Sequence, residues 1–252
     1  MSCVFLIASV LYCSVHIRIE EKLTLEAGRD GGLNNLEILG IMRLRISDSA
    51  YGRIRLLTQN NDSRGFQLQT HPNVDKKRFF SDCIVTLKQE GKGFPINNDV
   101  GVVKWRLQTT DDSHIPLMIN CWPSESSGKC EVNIEYELQH DDMELQDVQI
   151  TIPIPGGVGA PTVASCDGEY KHDSKKNILT WSLPVIDESN KNGSMEFAIP
   201  GRSDDFFPVH VCFSSPRSYC DIQVSEVQLI ENEKSVRFSS ETFLLVEQYS
   251  IV

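Results

Sequence analysis

The sequence predicts an all-β protein built as an antiparallel β-sandwich, and three observations lead to this prediction. Apolar residues alternate with other residues in most segments, as in Val148, Ile150, Ile152 and Ile154, a pattern typical of strands with one buried face. Such runs recur at roughly 8–12-residue spacing and are separated by Gly, Pro, Asn and Asp turns. Strands do not alternate with long helical patterns, which argues against a doubly wound parallel sheet.

The predicted strands can be placed in chain order. In the first half they centre on Val15/Ile17/Ile19, Leu23/Leu25, Leu36/Ile38/Met42/Leu44/Ile46, Ile54/Leu56, Phe66/Leu68, Val102/Trp105/Leu107 and Leu117/Ile119. In the second half they centre on Val132/Ile134/Tyr136/Leu138, Val148/Ile150/Ile152/Ile154, Leu179/Trp181/Leu183/Val185, Met195/Phe197/Ile199, Val209/Val211/Phe213, Ile222/Val224, Val227/Leu229 and Phe243/Leu245. Glycines break the pattern at 28–32 and are predicted to interrupt it at Gly40. A helical turn is predicted within 76–89.

Residues 147–186 are the most informative stretch of the chain. Pro153 and Pro155 cannot donate ladder hydrogen bonds, so the strand that ends there lies at a sheet edge or leaves the sheet. The glycine-rich loop 155–159 follows a strand as phosphate loops do, but it lacks the Lys-Ser/Thr of a P-loop, which favours a plain turn. His172, Asp173 and Ser174 are triad residue types, yet a triad is assembled across space. The polar segment 172–177 is therefore interpreted as a solvated hairpin tip.

Length, composition and charge restrict the class of protein. The chain has 252 residues, enough for one large β-domain or two small ones. Hydrophobic content of 40% and charged content of 23% indicate a folded, non-membrane domain. The formal net charge of −11 argues against nucleic acid as the main partner, since phosphate binding requires local positive charge.

Two turn-rich breaks, 121–128 and 200–208, suggest an inserted subdomain. We therefore predict a subdomain A formed by 15–120 and 207–252, and a subdomain B formed by 121–206. Residues 1–14 form an atypical apolar segment that carries no charged side chain. This segment is too short to span a bilayer, which needs roughly 20 apolar residues. It is interpreted as a first strand, a cleaved signal or a non-native start produced by truncation or splicing.

The eight cysteines leave two alternatives open. They stand at positions 3, 13, 83, 121, 130, 166, 212 and 220, and no C-x-x-C pair occurs. Buried free thiols in a reducing compartment are the favoured interpretation, because a chain of this length needs no disulfide to be stable. A secreted, disulfide-bonded adhesion-type sandwich is the alternative, and the sequons at Asn61 and Asn192 would then accept glycans.

Catalysis and metal binding find little support in the sequence. His71 is interpreted as a turn residue, because no second His or Cys is near enough in sequence to complete a ligand set. The carboxylates form no recognisable pair. We predict no catalytic residue, no metal and no cofactor.

Basic clusters are the more interesting candidates on an acidic chain, because they can mark where an acidic peptide docks. Residues two apart in a strand share a face, so Lys104 and Arg106 project together, as do Arg53 and Arg55. The alternative is that all of these are ordinary surface charges, and the three tryptophans are interpreted as core residues. The predicted peptide-binding residues are Lys104, Arg106, Lys76, Lys77 and Arg78.

Several of these segments resemble a known family. DVQITIPIPGGVGAP (147–161), ILTWSLP (178–184) and GSMEFAIP (193–200) resemble the μ-homology domain of clathrin-adaptor medium subunits. The segments LQTHPNVDKKRF (68–79), DVGVVKWRLQT (99–109) and INCWPSES (119–126) are similar to the medium subunit of the COPI coat, coatomer delta (archain). The resemblance runs from about residue 15 to residue 252, and residues 1–14 do not fit it.

The resemblance implies a fold and a function. The fold would be an elongated, immunoglobulin-like antiparallel β-sandwich of two subdomains, the second inserted into the first. The function would be non-enzymatic recognition of tryptophan-based motifs in acidic segments of an ER tethering complex and an Arf GTPase-activating protein, in Golgi-to-ER retrograde and intra-Golgi transport. The expected location is the cytoplasmic side of Golgi membranes and COPI vesicles, with membrane association through the coat.

Two departures from the family pattern limit what can be transferred. Medium subunits that bind tyrosine motifs alternate Trp and Arg on their last strand, whereas residues 242–247 read TFLLVE, so we do not expect that pocket. The longin-like domain and linker of the family's whole subunits have no counterpart here. We therefore expect weakened association with the other coatomer subunits.

Overall fold

The computed structural model describes residues 13–252, which fold mainly into β-strands. One α-helix, α1, spans Lys76–Asp82, and short 3-10 helices lie at Ser49–Tyr51, Asp112–His114, Glu188–Asn190 and Ser203–Phe206. The strands are β1 Val15–Ala27, β2 Leu33–Ile46, β3 Ile54–Asn60, β4 Gln67–Thr70, β5 Ile84–Val85, β6 Asp99–Thr109, β7 Leu117–Ser126, β8 Lys129–Leu138, β9 Leu145–Pro153, β10 Thr162–Cys166, β11 Glu169–Asp173, β12 Ile178–Ile186, β13 Asn192–Ile199, β14 Val209–Ser215, β15 Ile222–Leu229 and β16 Ser239–Ile251.

The strands form three sheets. Their orders are β11-β12-β9-β14-β16-β1-β2-β6-β4, β10-β13-β8-β7 and β15-β3-β5. The strand pairs of known register are antiparallel, and inward-facing apolar residues alternate with outward polar ones, as the burial pattern of β8 shows. The predicted all-β, antiparallel class is therefore confirmed, and the predicted helical turn within 76–89 is α1.

The chain divides into two compact units. Unit 1 comprises residues 13–21, Leu39–Leu107 and Arg217–Phe243, and unit 2 comprises Lys22–Ile38, Gln108–Pro216 and Leu244–Val252. The subdomain boundaries expected from the sequence, 15–120 with 207–252 and 121–206, remain a prediction. The expectation for residues 1–14 lies outside the described part of the chain, apart from its last two residues.

The core of unit 1 is organised around Trp105, which is 2% exposed. Its indole packs directly on Gly40, where an added Cβ would lie 1.9 Å from Trp105 Nε1. The sequence predicted that Gly40 interrupts its strand, but β2 runs through it without a break. Gly40 is required because the indole occupies the space of a side chain, not because the backbone turns there.

A buried carboxylate completes this core. Glu21 is 1% exposed and accepts hydrogen bonds from Trp105 Nε1 at 2.7 Å, Ser218 Oγ at 3.0 Å and the Cys220 backbone N–H at 3.0 Å, as well as from the Tyr219 backbone N–H. Burial raises the pKa of Glu21, and these hydrogen bonds oppose that rise. The carboxylate thereby joins β1 to β6 and to the segment that precedes β15.

The core of unit 2 contains a second tryptophan. Trp181 is fully buried, donates its indole N–H to the Asp167 carbonyl at 2.6 Å and packs against Tyr136 with ring centroids 5.4 Å apart. Tyr249 is buried as well and donates to the Leu117 carbonyl at 2.5 Å. Each buried polar tip thus has a partner, as burial requires.

Two sequence expectations in unit 2 are corrected by the structure. Residues 121–126 are not a turn but the end of β7, which forms a hairpin with β8 through a turn at Ser127 and Gly128. Both turn residues have positive φ, as a two-residue hairpin turn requires. Pro123 is tolerated because β7 is the outermost strand of its sheet. Trp122, which was expected in the core, is 51% exposed.

The stretch 147–186 matches its prediction with two refinements. β9 is an interior strand, paired with β12 and with β14, so the strand ends at Pro153 by leaving the sheet and not by lying at an edge. The polar turn is shorter than predicted, because His172 and Asp173 still pair within β11. Asp173 accepts the backbone N–H groups of Lys175 and Lys176, which confirms a hairpin tip.

Candidate functional site

Helix α1 displays the first predicted basic cluster. Asp75 begins the helix by accepting the backbone N–H groups of Lys77 at 3.0 Å and Arg78 at 3.2 Å, an N-cap that fixes where the first turn starts. The left-handed Cys83, at φ 55°, ends it. Lys76, Lys77 and Arg78 are all exposed on this short helix.

An exposed aromatic residue lies within this cluster. Adjacent helical positions differ by about 100° around the axis, so Phe79 and Phe80 cannot face the same way. Phe79 is buried, whereas Phe80 is 51% exposed. The Lys76 ammonium lies 5.7 Å from the centre of the Phe80 ring, within cation–π range. The helix therefore presents a ring and positive charges together.

The segments next to α1 add further cations. The chain just before the helix pairs with the chain after β5, through a Val74–Leu87 bridge and a hydrogen bond from Lys88 N to the Asn73 carbonyl at 2.9 Å. This pairing places Lys88 beside the helix. Asp75, Lys76, Lys77, Phe80 and Lys88 line an open concavity of about 620 Å³.

A second, more enclosed concavity adjoins the first, since Lys88 lines both. Its volume is about 390 Å³ and its surface is largely apolar. The lining residues are His71, Asn73, Val74, Leu87, Lys88, Gln89, Lys92, Gly93, Phe94, Pro95 and Val100. His71 acts as the turn residue that was predicted, because its Nδ1 accepts the Asn73 backbone N–H at 3.1 Å. We call the two concavities and the residues that line them the lysine surface.

The positive charges of the lysine surface are available to a ligand. Within residues 13–252, no salt bridge is formed by Lys76, Lys77, Lys88 or Lys92 of this surface. The predicted Arg78 also forms none, but it lines neither concavity. The other basic pair considered from the sequence is already neutralised. Arg53 binds Glu231 at 2.7 Å, and Arg55 binds Glu233 at 3.0 Å and Gln228 at 2.8 Å.

The second predicted cluster lies on β6. Lys104 and Arg106 are exposed on its outer side, opposite Gln69 and Gln67 of β4, and the buried Trp105 between them faces the core as predicted. Neither residue lines the two concavities. The structure therefore does not bring all five predicted residues to one concave site.

Sequence reasoning missed Phe80, Lys88 and the apolar wall that includes Phe94. One signal was present, since two adjacent phenylalanines in a short helix cannot both be buried. No sequence pattern indicates that Lys88 lies beside α1, because that depends on the pairing of residues 73–75 with 86–88. A group of ligands for a metal ion does not occur among the described residues.

Comparison with known proteins identifies the class. Residues 13–243 match the model of the adaptor complexes medium subunit family, and the chain belongs to this family. Among its relatives are coatomer delta subunits. It is 42% identical over 94% of its length to the probable coatomer subunit delta of Caenorhabditis elegans, and 39% identical over 94% to coatomer subunit delta-1 of Oryza sativa subsp. japonica. It spans 46% of each of these relatives.

Solved structures agree. The yeast delta-COP-I μ-homology domain superposes with a TM-score of 0.81 at 27% identity, covering 95% of this chain and 98% of that chain. The same domain complexed with a Dsl1 WxWxV peptide gives a TM-score of 0.79 at 28% identity, with the same coverage. The resemblance and the μ-homology fold inferred from the sequence are thus confirmed. In the described residues, no helix has the length and apolar character needed to cross a bilayer.

Proposed function

We propose that this chain is the ligand-recognition domain of a COPI-type coat, which binds acidic peptide segments that contain tryptophan. The observation that carries the proposal is the lysine surface, where an exposed ring, apolar concavities and unpaired cations occur side by side. The complex of the yeast relative with a WxWxV peptide supports this ligand class. The role is binding and not catalysis, in retrograde Golgi-to-ER and intra-Golgi transport.

The lysine surface suits such a ligand in two respects. A tryptophan side chain buries a large apolar area, which the concavity formed by Val74, Leu87 and Phe94 can accept. Acidic residues that flank the tryptophan would meet Lys76, Lys77 and Lys88. Complementary charges accelerate encounter and fix orientation more than they increase affinity.

The cellular context follows from the same proposal. The ligands would be tryptophan-motif segments of an ER tethering complex and of an Arf GTPase-activating protein, and the other coatomer subunits would be further partners. The domain would act on the cytoplasmic side of Golgi membranes and COPI vesicles. It would reach the membrane through the coat.

A titration tests the proposal. A peptide with two tryptophans separated by one residue, within an acidic sequence, is added to the purified chain while heat release is recorded. We expect saturable binding that Phe80→Ala weakens about tenfold, because a central aromatic contact contributes on the order of 1–2 kcal/mol. Phe243→Ala, which removes another exposed ring (41%), is the matched control and should leave the affinity unchanged.

Two outcomes would count against the proposal. The absence of saturable binding at high micromolar peptide would reject the ligand class. Binding that Phe243→Ala weakens as much as Phe80→Ala would retain the ligand class and reject the lysine surface as its location.

A further inference from the structure

Helix α1 carries an exposed serine that the proposed function does not use. Ser81 is the second-last residue of the helix and is exposed. Its hydroxyl donates to the Lys77 carbonyl at 2.9 Å. Residues three and four apart in a helix are neighbours on its surface, so Arg78 and Lys77 lie on the side of the helix that bears Ser81. The hydroxyl is therefore exposed next to two cations.

The residues before Ser81 match a pattern that many protein kinases select. Kinases discriminate among substrates by charge pattern, and a large class of them prefers an arginine three residues before the serine that is modified. Residues 76–81 read KKRFFS, with Arg78 at that position and two lysines before it. Arg78 is exposed and forms no salt bridge within residues 13–252. Its guanidinium is therefore available to the carboxylates of a kinase.

The local structure favours this serine over two other positions with the same spacing. Arg106 precedes Thr109 by three residues, and Arg237 precedes Ser240 by three. Both hydroxyls belong to strands, β6 and β16, that are interior to the nine-stranded sheet. A kinase binds its substrate as an extended, accessible segment, so either position would require part of that sheet to open. Helix α1 has seven residues, of which only Phe79 is buried, and short helices open readily.

We infer that Ser81 is a phosphorylation site for a kinase that prefers basic sequences, and that the phosphate inactivates the lysine surface. In this reaction the Ser81 oxygen forms a bond to the γ-phosphorus of ATP, and the bond from that phosphorus to the bridging oxygen of ADP breaks. The hydroxyl proton passes to the kinase, and ADP leaves. The modification itself depends on the sequence and exposure of α1, whereas its regulatory effect rests on the proposed function.

The phosphate has two physical effects that act in the same direction. Phosphoserine carries a charge of about −1.5 to −2 at pH 7, and at position 81 it lies one helical turn from Lys77, which lines the open concavity. It therefore competes with the carboxylates of an acidic peptide for the same cations. It also adds negative charge to the last turn of the helix, beside Asp82, where the helix dipole and like charges disfavour it. The turn that carries Phe80 thereby loses stability.

Mass spectrometry tests the modification. The full chain is incubated with Mg²⁺, ATP and activated calmodulin-dependent protein kinase II, which selects an arginine at this spacing, and the modified residues are located by fragment masses. We expect Ser81 to gain a phosphate before Thr109 or Ser240 does, and Ser81→Ala to lose this early label. Failure of the kinase to modify Ser81, or earlier modification of either strand residue, would overturn the assignment.

Peptide titration tests the regulatory effect. Phosphorylation should weaken the acidic two-tryptophan peptide by about tenfold, whereas kinase treatment of Ser81→Ala should change its affinity by less than about twofold. Ser81→Glu adds a smaller charge at the same position and should weaken the peptide by about threefold. Ser174→Glu is the matched control at the exposed hairpin tip of unit 2 and should leave the affinity unchanged.

The outcomes separate this inference from the proposed function. A phosphorylated chain that binds the peptide as tightly as the unmodified chain would overturn the regulatory effect and leave the proposed function intact. An unmodified chain that binds no peptide would refute the proposed function before any phosphate is added, and the regulatory effect with it.

Discussion

The lysine surface of unit 1 and the outer side of β8 in unit 2 carry opposite charges, since Glu131, Glu135 and Glu137 lie on the same outward side of that strand. Each of the two regions sets one half-exposed aromatic ring, Phe80 or Trp122, near like charges that form no salt bridge within residues 13–252. The two rings are carried by different secondary structure. Phe80 projects from a seven-residue helix beside a concavity, whereas Trp122 lies on a regular strand. The comparison teaches that an overall charge of −11 says little about which ligands individual surfaces attract.

The two regions also differ in how their cores are anchored, and the largest predicted effect follows from this. Glu21→Ala should reduce the free energy of unfolding by about 3–5 kcal/mol, because several buried donors would lose their acceptor. Glu20→Ala is the matched control on the same strand, where partly exposed ion pairs with Arg43 and Arg18 are lost. This variant should reduce the free energy of unfolding by less than about 1 kcal/mol.

Urea denaturation of both variants measures these values. Equal stability of the two would show that the Glu21 hydrogen bonds do not anchor unit 1.

The same carboxylate makes stability depend on pH. Burial, the larger cause, raises the pKa of Glu21 above its ordinary value. The unfolded chain therefore releases this proton at lower pH than the folded chain does, and the stability contributed by the group falls as pH rises from the unfolded pKa through the folded one. Glu21→Gln removes the titrating group. As pH rises between those two pKa values, the free energy of unfolding of the wild type should therefore fall relative to that of the variant. A pH-independent difference would contradict this assignment.

Charge changes in the two regions test the comparison itself. Lys76→Glu with Lys88→Glu should weaken the acidic tryptophan peptide by more than tenfold. Glu131→Gln with Glu196→Gln should change its affinity by less than twofold, because neither residue lines the concavities of the lysine surface. Calorimetric titration of the peptide against both variants measures these affinities, and equal changes would show that the lysine surface is not the peptide site.

The two basic clusters of unit 1 should differ by a smaller amount in their contribution to the affinity for the acidic peptide. Because Lys104 and Arg106 do not line the concavities, Lys104→Glu with Arg106→Glu should weaken the acidic peptide about two- to threefold, through long-range attraction that salt screens beyond about 10 Å at 0.1 M. Lys76→Glu with Lys77→Glu should have a larger effect that persists at higher salt. The reverse ranking would move the peptide site to the outer side of β6.

The smallest predicted difference between the two regions is in thiol reactivity. One cysteine belongs to each region, Cys83 in unit 1 and Cys121 in unit 2. Cys83 ends the helix of the lysine surface and is half-buried, whereas Cys121 lies behind Trp122 and is buried. Burial raises the pKa of the Cys121 thiol to about 12, so little thiolate forms at neutral pH. We expect iodoacetamide to modify Cys83 before Cys121, as mass spectrometry of time points would show. Cysteines that resist modification until reduced would favour the disulfide-bonded alternative.

The sequence predicted much of the fold because strand alternation is a local property. The β9 and β12 patterns and the hairpin tip between β11 and β12 follow from residues within each segment. Gly40 and the segment 121–126, which contains Pro123, were misassigned because their structure depends on residues that are distant in sequence. Gly40 is explained by the Trp105 indole on β6, and Pro123 by the position of β7 at a sheet edge.

The candidate site was less predictable than the fold. The cations of α1 are contiguous in sequence and were predicted from it. Their number does not distinguish them from Arg53 and Arg55, whose charges are neutralised by Glu231 and Glu233, far away in the sequence. Lys88 joins the surface only through the pairing of two loops. Trp122 was assigned to the core because tryptophan is usually buried, and only the register of β7 shows that it faces outward.

The central claim is that the lysine surface binds the tryptophan peptide, and mapping of backbone amide signals tests it most directly. ¹⁵N–¹H correlation spectra of the labelled chain are recorded as the acidic two-tryptophan peptide is added. The account predicts that the largest shifts fall in residues 71–95, with Phe80 and Lys88 among them, while the amides of β7 and β8 remain unchanged. Shifts centred on Lys104 and Arg106, or in unit 2, would contradict it.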